Sequence, residues 1–581
     1  MNMLMAMALI MAFLDMLGVA SIMPLITVLS SPELIHTNTA LNFLFTTSRI
    51  AGIETADEFK FLMGVATFAL LLASLSFKAW NTMMQARFVR MCEFSLSKRL
   101  VEGYLHQSYS WFLDRHSADL GKTILSEVGA VIGNGLSPLM VMSAQAIVSF
   151  FLVILLIVVD PVLALSVGVV LGIAYAGILT GTSSWIKRLG QSRIKANQER
   201  FTAVSEAFGA TKEVKVGGLE RFFTQRFAQH AEVYARGQAT AQVIAQLPRF
   251  ALEAIAFGGI LLIILYLMVQ EDGFLEALPI IALYAFAAYR LMPALQQIYS
   301  STTQLRYAGP AIDALHRDLI GQKVLSADYG YIAKMPLTRA IELNQVSFRY
   351  PNAPQLALMG IDLTIPVFST VGFVGATGSG KTTTVDVILG LLEPQEGSLN
   401  IDGQLITASN RRQWQRAIGY VPQHIYLADD TVAANIAFGQ NAKDIDQRAV
   451  ERAAKIANLH EFVVNDLPQG YLTTVGERGV RLSGGQRQRI GIARALYHDP
   501  QVLILDEATS ALDKLTEQAV MEAVSNLGHE ITIILIAHRL STVRHCDQIY
   551  LLERGEVKDQ GTYEELTASS RQFRAMGGAV E

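Results

Sequence analysis

The sequence predicts a membrane-spanning α-helical bundle followed by a soluble α/β domain. Three observations carry this. Half of the 581 residues are hydrophobic and only 17% are charged. Apolar runs of about twenty residues, enough to cross a hydrocarbon layer about 30 Å thick, are confined to the part before about Ala314. After about Ala340 the composition is that of an ordinary soluble α/β protein. A chain of this length exceeds one ordinary domain, and the expected division is 1–320 for the membrane bundle, 321–340 for a linker and 341–581 for the soluble domain. The net charge of −4 gives no indication of nucleic acid. Cys92 and Cys546 lie far apart, on segments assigned below to the cytoplasm, and are expected as free thiols.

Six segments qualify as spans: about Met3–Leu29, Phe59–Asn81, Pro138–Val159, Val162–Thr180, Pro248–Val269 and Phe274–Leu295. The first lacks the basic start and small-residue cleavage site of a signal peptide, and Asp15 interrupts it, so it reads as a span. The chain begins almost inside it, which leaves a truncated start open. Spans three and four are joined by Asp160-Pro161 alone, and spans five and six by Gln270–Gly273.

Basic residues orient the bundle. Arg87, Arg90, Lys98, Arg99, Arg115 and Lys122 lie between spans two and three, and ten more, from Lys187 to Arg236, lie between spans four and five. The loop Ser30–Glu58 has only Arg49, and the two short turns have none. Both long basic stretches, and everything after span six, are therefore expected in the cytoplasm. Those stretches read as helical extensions of the spans. The turns near Trp111–Leu125 and Phe208–Leu219 are candidate contacts for a soluble domain.

The second half carries the chemistry. Ile341–Tyr350 and Ile361–Ile365 read as strands, and an apolar strand then runs into Gly375-Ala376-Thr377-Gly378-Ser379-Gly380-Lys381-Thr382 before an apolar helix. This is the G-x-x-x-x-G-K-[ST] pattern. Backbone N–H groups of the loop wrap phosphates, the helix N-terminus adds a favourable dipole, Lys381 reaches the β- and γ-phosphates, and the Thr382 hydroxyl ligates Mg²⁺. A second apolar strand, in QVLILDEATSALD, delivers Asp506 and Glu507 to its C-terminal edge. Asp506 suits Mg²⁺, held through water, and Glu507 suits the role of general base for the attacking water. Ser483, Gly484 and Gly485 precede a basic helix, a second phosphate-facing helix start. It cannot serve the same γ-phosphate as Lys381 from the same side within one compact domain, which suggests a second subunit. His538 ends a further strand, placed to sense the γ-phosphate, and Gln423 sits on a turn able to reach Mg²⁺.

With these motifs in place, the half Ile341–Glu581 resembles the ATPase domain of an ABC transporter. The correspondence runs through the Walker A loop GATGSGKTT, which ends in Thr383, Gln423 of the Q-loop, and the signature Leu482–Gln486, with Gln486 closing it. It continues through VLILDE, the D-loop Ser510–Asp513 and the switch histidine His538. The resemblance implies that Tyr350 stacks on adenine, that Ser483 and Gly485 close on ATP held by an opposite subunit, and that Val475–Gly479 contacts the helices of the membrane half. One departure is visible: the Gly-Glu turn that often precedes the phosphate-loop strand is replaced by Val367-Phe368-Ser369. Six spans followed by one such domain resemble an exporter-type half-transporter. The fold class is thus a six-helix membrane bundle of the ABC exporter type followed by an α/β P-loop ATPase domain, with ATP and Mg²⁺ as its cofactors. The partner is a second copy of the chain, with a heterodimer as the alternative. A soluble ATPase of this family has no use for six spans, an importer usually keeps its spans on a separate chain, and an ATP-regulated channel or receptor is the rarer alternative.

For the substrate, the stretches FLDMLGVASIMPLITVLS, LPRFALEAIAF and LYAFAAYRLMPALQQI resemble bacterial flippases of lipid-linked oligosaccharides, which implies the bacterial inner membrane. Exporters of other lipids, hydrophobic drugs or peptides stay open. Asp15, Lys78, Arg249, Glu253 and Arg290 are ionisable residues in or beside spans, where such groups face a cavity or one another. Arg249 and Glu253 can pair on one helix face, and Asp15 can pair with a base on another helix. Arg290 has two readings. It either snorkels to the inner surface, or it faces a cavity and binds a substrate phosphate, with Lys78 as a second candidate.

Overall fold

The computed structural model describes residues 2–30, 32–51, 53–269, 274–320, 332–351, 353–476, 479–507, 517–519, 522, 530–537 and 539–577. It divides into two compact units. One comprises Met1–Gln107 and Arg115–Leu325, and the other Ser108–Asp114 and Ser326–Glu581.

The first unit is helical throughout. Helix α1 (Asn2–Ala20) continues after Ser21 into α2 (Ile22–Ser30). Thr55 caps α3 (Ala56–Leu105), with Glu58 completing a reciprocal capping box. At 50 residues α3 is about 75 Å long, more than twice the thickness of a bilayer core. Helix α4 (Ser137–Val159) stops at Asp160, whose backbone is extended, and Pro161 opens α5 (Pro161–Gly209), so the Asp160-Pro161 junction is the tight turn that the sequence predicts. Two long helices complete the unit, α6 (Glu220–Val269) and α7 (Phe274–Ile320).

Among the described residues, four helices are long and apolar enough to cross a membrane: Asn2–Ser30, Ala56–Leu105, Ala118–Val159 and Ala164–Gly209. The fifth and sixth expected spans fall on α6 and α7, while the connection Gln270–Gly273 lies outside the described residues. On α3 the usual amphipathic order is inverted. Phe61, Phe68, Leu72 and Leu75 are exposed, whereas Thr67, Ser74 and Asn81, seven residues apart on one face, are buried. Apolar side chains outward and small polar ones inward suit a helix bathed in hydrocarbon.

The second unit is built on two sheets. Strands β1 (Ala340–Phe348), β2 (Leu358–Pro366), β4 (Glu396–Ile401) and β5 (Gln404–Leu405) form an antiparallel sheet in the order β2-β1-β4-β5. The second has the order β10-β9-β3-β8-β7-β6, from β3 (Thr370–Val374), β6 (Ile418–Val421), β7 (Val502–Asp506), β8 (Thr532–Ile536), β9 (Gln548–Glu553) and β10 (Glu556–Gly561). All its pairings are parallel except β9 with β10. Both faces of the parallel strands are buried, as their unbroken apolar runs require. Alternate residues divide between two cores: Val502, Ile504, Ile534 and Ile536 join one, and Leu503, Leu505, Ile533 and Leu535 the other.

The Val367-Phe368-Ser369 departure has a conformational consequence. Phe368 adopts φ +58°, the left-handed conformation that glycine takes freely and that costs another residue about 1–2 kcal/mol. The linker is described only from residue 332 onward. Neither cysteine forms a disulfide, as the sequence predicts.

Candidate functional site

Strand β3 delivers the phosphate loop and β7 the two acids. Between them lies β8, with Phe373 in register with Ile536 and Ile536 with Asp506. The loop and the acids therefore emerge two strand spacings apart, about 10 Å, at the C-terminal edge where parallel sheets place ligands.

The loop needs its glycines. Gly375, Gly378 and Gly380 have φ of +151°, +80° and +106°. A Cβ at Gly375 would lie 2.2 Å from the Leu552 carbonyl oxygen, and one at Gly380 3.0 Å from that of Ala357. Gly380 opens the helix α8 (Lys381–Ile388). Ala376, Thr377 and Gly378 form the exposed crest of the loop, and Thr382 is exposed beside it. Ser379 is buried, and its Oγ has no hydrogen-bond partner among the described residues. The buried Lys381 ammonium donates to the carbonyls of Gly375 at 2.8 Å and Ala376 at 3.1 Å. Burial lowers its pKa against the pull of Glu507 and Asp506. A positive group parked on its own loop, beside an unpartnered hydroxyl and a ring of backbone turns, fits a bound polyphosphate.

Around this loop the predicted residues converge. The Gln423 amide donates to Glu507 at 2.7 Å. Glu507 itself has φ +49°, a strained backbone of the kind held at functional sites. Asp506 is buried, and the Tyr420 hydroxyl donates to it at 3.5 Å. The Tyr350 hydroxyl lies 3.1 Å from Thr383 Oγ1. Sequence reasoning missed Asp386, on the inner face of α8. Burial and then the neighbouring Asp506 push its pKa up to about 6. The available signal was an acid inside the apolar run VDVIL. Tyr109, in the short helix Tyr109–Leu113 within Ser108–Asp114, is held protonated by burial and by Asp386.

The second phosphate-facing helix, α9 (Gly484–Leu496), starts at Ser483. Ser483 accepts from the Gln486 backbone while the Gln486 side chain accepts from that of Ser483, leaving Gly484 and Gly485 in the first turn. Helix α9 buries Ile490 and Ile492 in one core, and α8 buries Val385 and Ile388 in the other, so the two helices cover opposite faces of the sheet. His538, Asp513 and the rest of Ser510–Asp513 lie outside the described residues, as do Glu477 and Arg478 of the Val475–Gly479 loop.

Comparison with known proteins settles the family. The sequence model of the ABC transporter transmembrane region matches residues 4–298, and the model described as ABC transporter matches residues 358–510. The chain belongs to the ABC transporters. An ATP-dependent lipid A-core flippase of Cupriavidus pinatubonensis is 33% identical over 518 residues, 88% of this chain and 84% of its own. The heterocyst differentiation ATP-binding protein HepA of a Nostoc species is 31% identical over 81% of this chain and 76% of its own. A bacterial Atm1-family ABC exporter solved with ATP bound shares the fold, with a TM-score of 0.80 at 23% identity over 100% of this chain and 98% of that one. This ABC transporter is therefore an exporter-type half-transporter that couples ATP hydrolysis to transport, its membrane helices preceding its nucleotide-binding domain.

In the membrane unit of the transporter, the Arg290 guanidinium donates to Asp15 at 3.3 Å, with side chains 16% and 3% exposed. The Ser74 hydroxyl donates to the same carboxylate. Helices α1, α3 and α7 thus meet at a buried polar node, and the Arg290 side chain is held inside the bundle rather than extended to an interface. The Asn81 amide adds a contact to Met11 Sδ at 3.4 Å. Lys78 lies one turn from Ser74 and is half-buried. Arg249 and Glu253 form the expected same-face pair at 2.7 Å.

Proposed function

We propose that two copies of this chain use ATP to move a lipid-linked saccharide across the bacterial inner membrane, with the ATPase domains in the cytoplasm. The observation that carries the substrate reading is the reach of the likeness to lipid A-core flippases. It covers 88% of the chain, and so includes the membrane helices where substrate is chosen, not the ATPase domain alone. Other relatives bearing the same name are 33% and 32% identical over 81% of the chain.

The residues support a shared ATP site. The phosphate loop Gly375–Thr383 cradles the phosphates, Lys381 swings from the loop carbonyls onto them, and Tyr350 covers the adenine. Ser483, Gly484, Gly485 and Gln486 of the second copy close the site, because within one chain α8 and α9 lie on opposite faces of the sheet. Asp513 and His538 complete it, at the subunit boundary and the γ-phosphate. The hydroxyl of Thr382, Gln423 and the carboxylate of Asp506 suit Mg²⁺, which when bound neutralises charge developing on the phosphate oxygens. Glu507 polarises the attacking water, and Gln423, bonded to it, positions it. Binding of ATP favours the closed pair because it adds contacts only there.

For the substrate we assign Arg290 to the phosphate of the lipid, with Lys78 as a second contact. Its planar fork suits phosphate oxygens, and its position is the inner third of its span. Asp15 holds the guanidinium until a phosphate replaces it. The test is ATP-driven flipping of a fluorescent lipid-diphosphate saccharide in proteoliposomes. Arg290→Ala abolishes flipping, and Arg290→Lys restores only part of it. Normal flipping by Arg290→Ala would sink the phosphate assignment.

A further inference from the structure

Beyond the apolar spans, the long helices share a buried charged network. Glu127 ends the π-helical turn Thr123–Glu127, in the segment 117–136 that leads into α4. From α5, Arg193 donates to Glu127 Oε2 at 2.9 Å. Asn197, one turn on, donates to Glu127 Oε1 at 2.7 Å and to Ser126 Oγ at 3.1 Å. Arg200 in turn donates to Asn197 Oδ1 at 2.6 Å and stacks on Tyr234 of α6 at 4.1 Å. Arg193 also lies over the ring of Tyr307 on α7, at 5.7 Å. Glu127, Arg193 and Asn197 are 7%, 2% and 0% exposed. One carboxylate thus ties α5 to the segment before α4, with aromatic rings of α6 and α7 packed around the tie.

This network differs from a permanent joint. A buried ion pair holds weakly for its size, because desolvation offsets the attraction and apolar residues of the same volume often hold as well or better. Here the pairing is also incomplete: Arg193 Nε and the Tyr307 hydroxyl have no hydrogen-bond partner among the described residues, and a buried donor left unpaired keeps its full desolvation penalty. Position makes release easy. Arg193 lies about 20 Å past the apolar run that ends at Thr180, and Glu127 about 17 Å short of the one that begins at Pro138. The charges therefore meet water, not hydrocarbon, once the helices part. The backbone beside them has a means of moving as well. π-Helical turns are rare and concentrate at functional positions. One ends at Glu127, and a second, Ile132–Leu136, follows after Val128–Val131. Shifting such a turn along the helix reorients the carboxylate without unfolding the segment.

We propose that Glu127, Arg193 and Asn197 form a latch, closed in this structure, that holds α5 against the segment 117–136 and parts once in each ATPase cycle. A contact that breaks and re-forms at every turnover suits groups that demand close geometry when shut and are hydrated when open. An apolar seam would instead resist separation, because parting it exposes apolar surface to water. The proposal needs only the ATP-coupled transport described above and does not depend on what is carried.

The test locks the joint beside the latch. Gln198 of α5 donates to Asp119 of the short helix Ser117–Lys122 at 3.4 Å, and neither residue belongs to the latch. In a Cys92→Ser background, Asp119→Cys with Gln198→Cys is bridged within one chain by a short, reducible bis-methanethiosulfonate, using the full chain in lipid nanodiscs. ATP hydrolysis by the bridged protein falls by about fivefold or more, the low end of an ordinary coupling, and returns on reduction. Bridging also proceeds at different rates in nucleotide-free protein and in protein trapped with ATP and vanadate. Hydrolysis at the unbridged rate, or equal bridging in the two states, overturns the proposal. A second variant, Glu127→Leu with Arg193→Met, replaces the pair by apolar groups and keeps the joint shut. Its thermal midpoint equals or exceeds that of the wild type, while its hydrolysis is slowed. Wild-type hydrolysis by this variant at undiminished stability would mean that the network is only structural, and would equally overturn the latch.

Discussion

Replacing Asp15 by Asn removes the charge that neutralises Arg290 while preserving shape. At the observed 3.3 Å, two unit charges attract by about 5 kcal/mol at an effective dielectric constant of about 20. Much of that offsets the desolvation of both groups. Stranding one member of a buried pair nevertheless costs about 3–5 kcal/mol, whereas replacing both with apolar residues of similar volume is often neutral. The Ser74 hydroxyl still finds an acceptor on the Asn, so the loss belongs to the charge. The assay is heating of detergent-solubilised protein at a fixed rate, followed by measurement of the surviving monodisperse fraction, because unfolding of such a protein is irreversible. Asp15→Asn and Arg290→Met each lower the apparent midpoint by several degrees. Asp15→Leu combined with Arg290→Met recovers most of the loss, giving a stable protein without the proposed phosphate ligand. Simple addition of the two single losses would refute the pairing as an energetic unit.

Two further outcomes follow from the ATPase unit. Asp386 has its folded pKa raised to about 6, mainly by burial. The stability associated with it is therefore intact below about pH 4 and is lost as pH rises through about 6. Asp386→Asn, neutral throughout, raises the thermal midpoint at pH 7.5 by the equivalent of about 2 kcal/mol after allowance for solvent screening, and has no effect at pH 4; a gain that persists at pH 4 would contradict the burial argument. For assembly, Thr377 is the better cross-linking position because it is exposed where Ser379 is buried. Only the half-buried Cys92 needs replacing beforehand, since burial pushes the Cys546 thiol up to about 12. Thr377→Cys with Ser483→Cys, treated with a bis-maleimide and ATP, gives a covalent dimer; products confined to monomers would exclude the shared site.

The candidate ATP site is legible because the chemistry expected of it sits in contiguous segments whose backbone shapes the loop. A glycine pattern between strand and helix, or two acids at the end of an apolar strand, states both residues and local geometry. Contacts between distant segments were less accessible. Gln423 was assigned to a turn near Mg²⁺, but its bond to Glu507, 84 residues away, needed β6 and β7 to pair in register. Asp15 and Arg290 are 275 residues apart, and periodicity within one helix does not say which neighbour its face meets. Ser108–Asp114 groups with the ATPase unit, a placement that a division into consecutive blocks cannot express. The charge pattern raised the question of Arg290, and the burial of its partner supplied what pattern alone lacked.

The central claim is that water activation by Glu507 in a closed pair of chains drives a lipid-linked saccharide across the membrane. The direct measurement is flipping in proteoliposomes with ATP and Mg²⁺, read as protection of a fluorescent lipid-linked saccharide from an impermeant quencher, for wild type and Glu507→Gln in parallel with ATP binding and hydrolysis. Loss of a general base costs about 10²–10⁴-fold in rate. Hydrolysis and multiple-turnover flipping should therefore fall together by that factor, while ATP still binds and holds the chains closed. Flipping at the wild-type rate by Glu507→Gln would contradict the account.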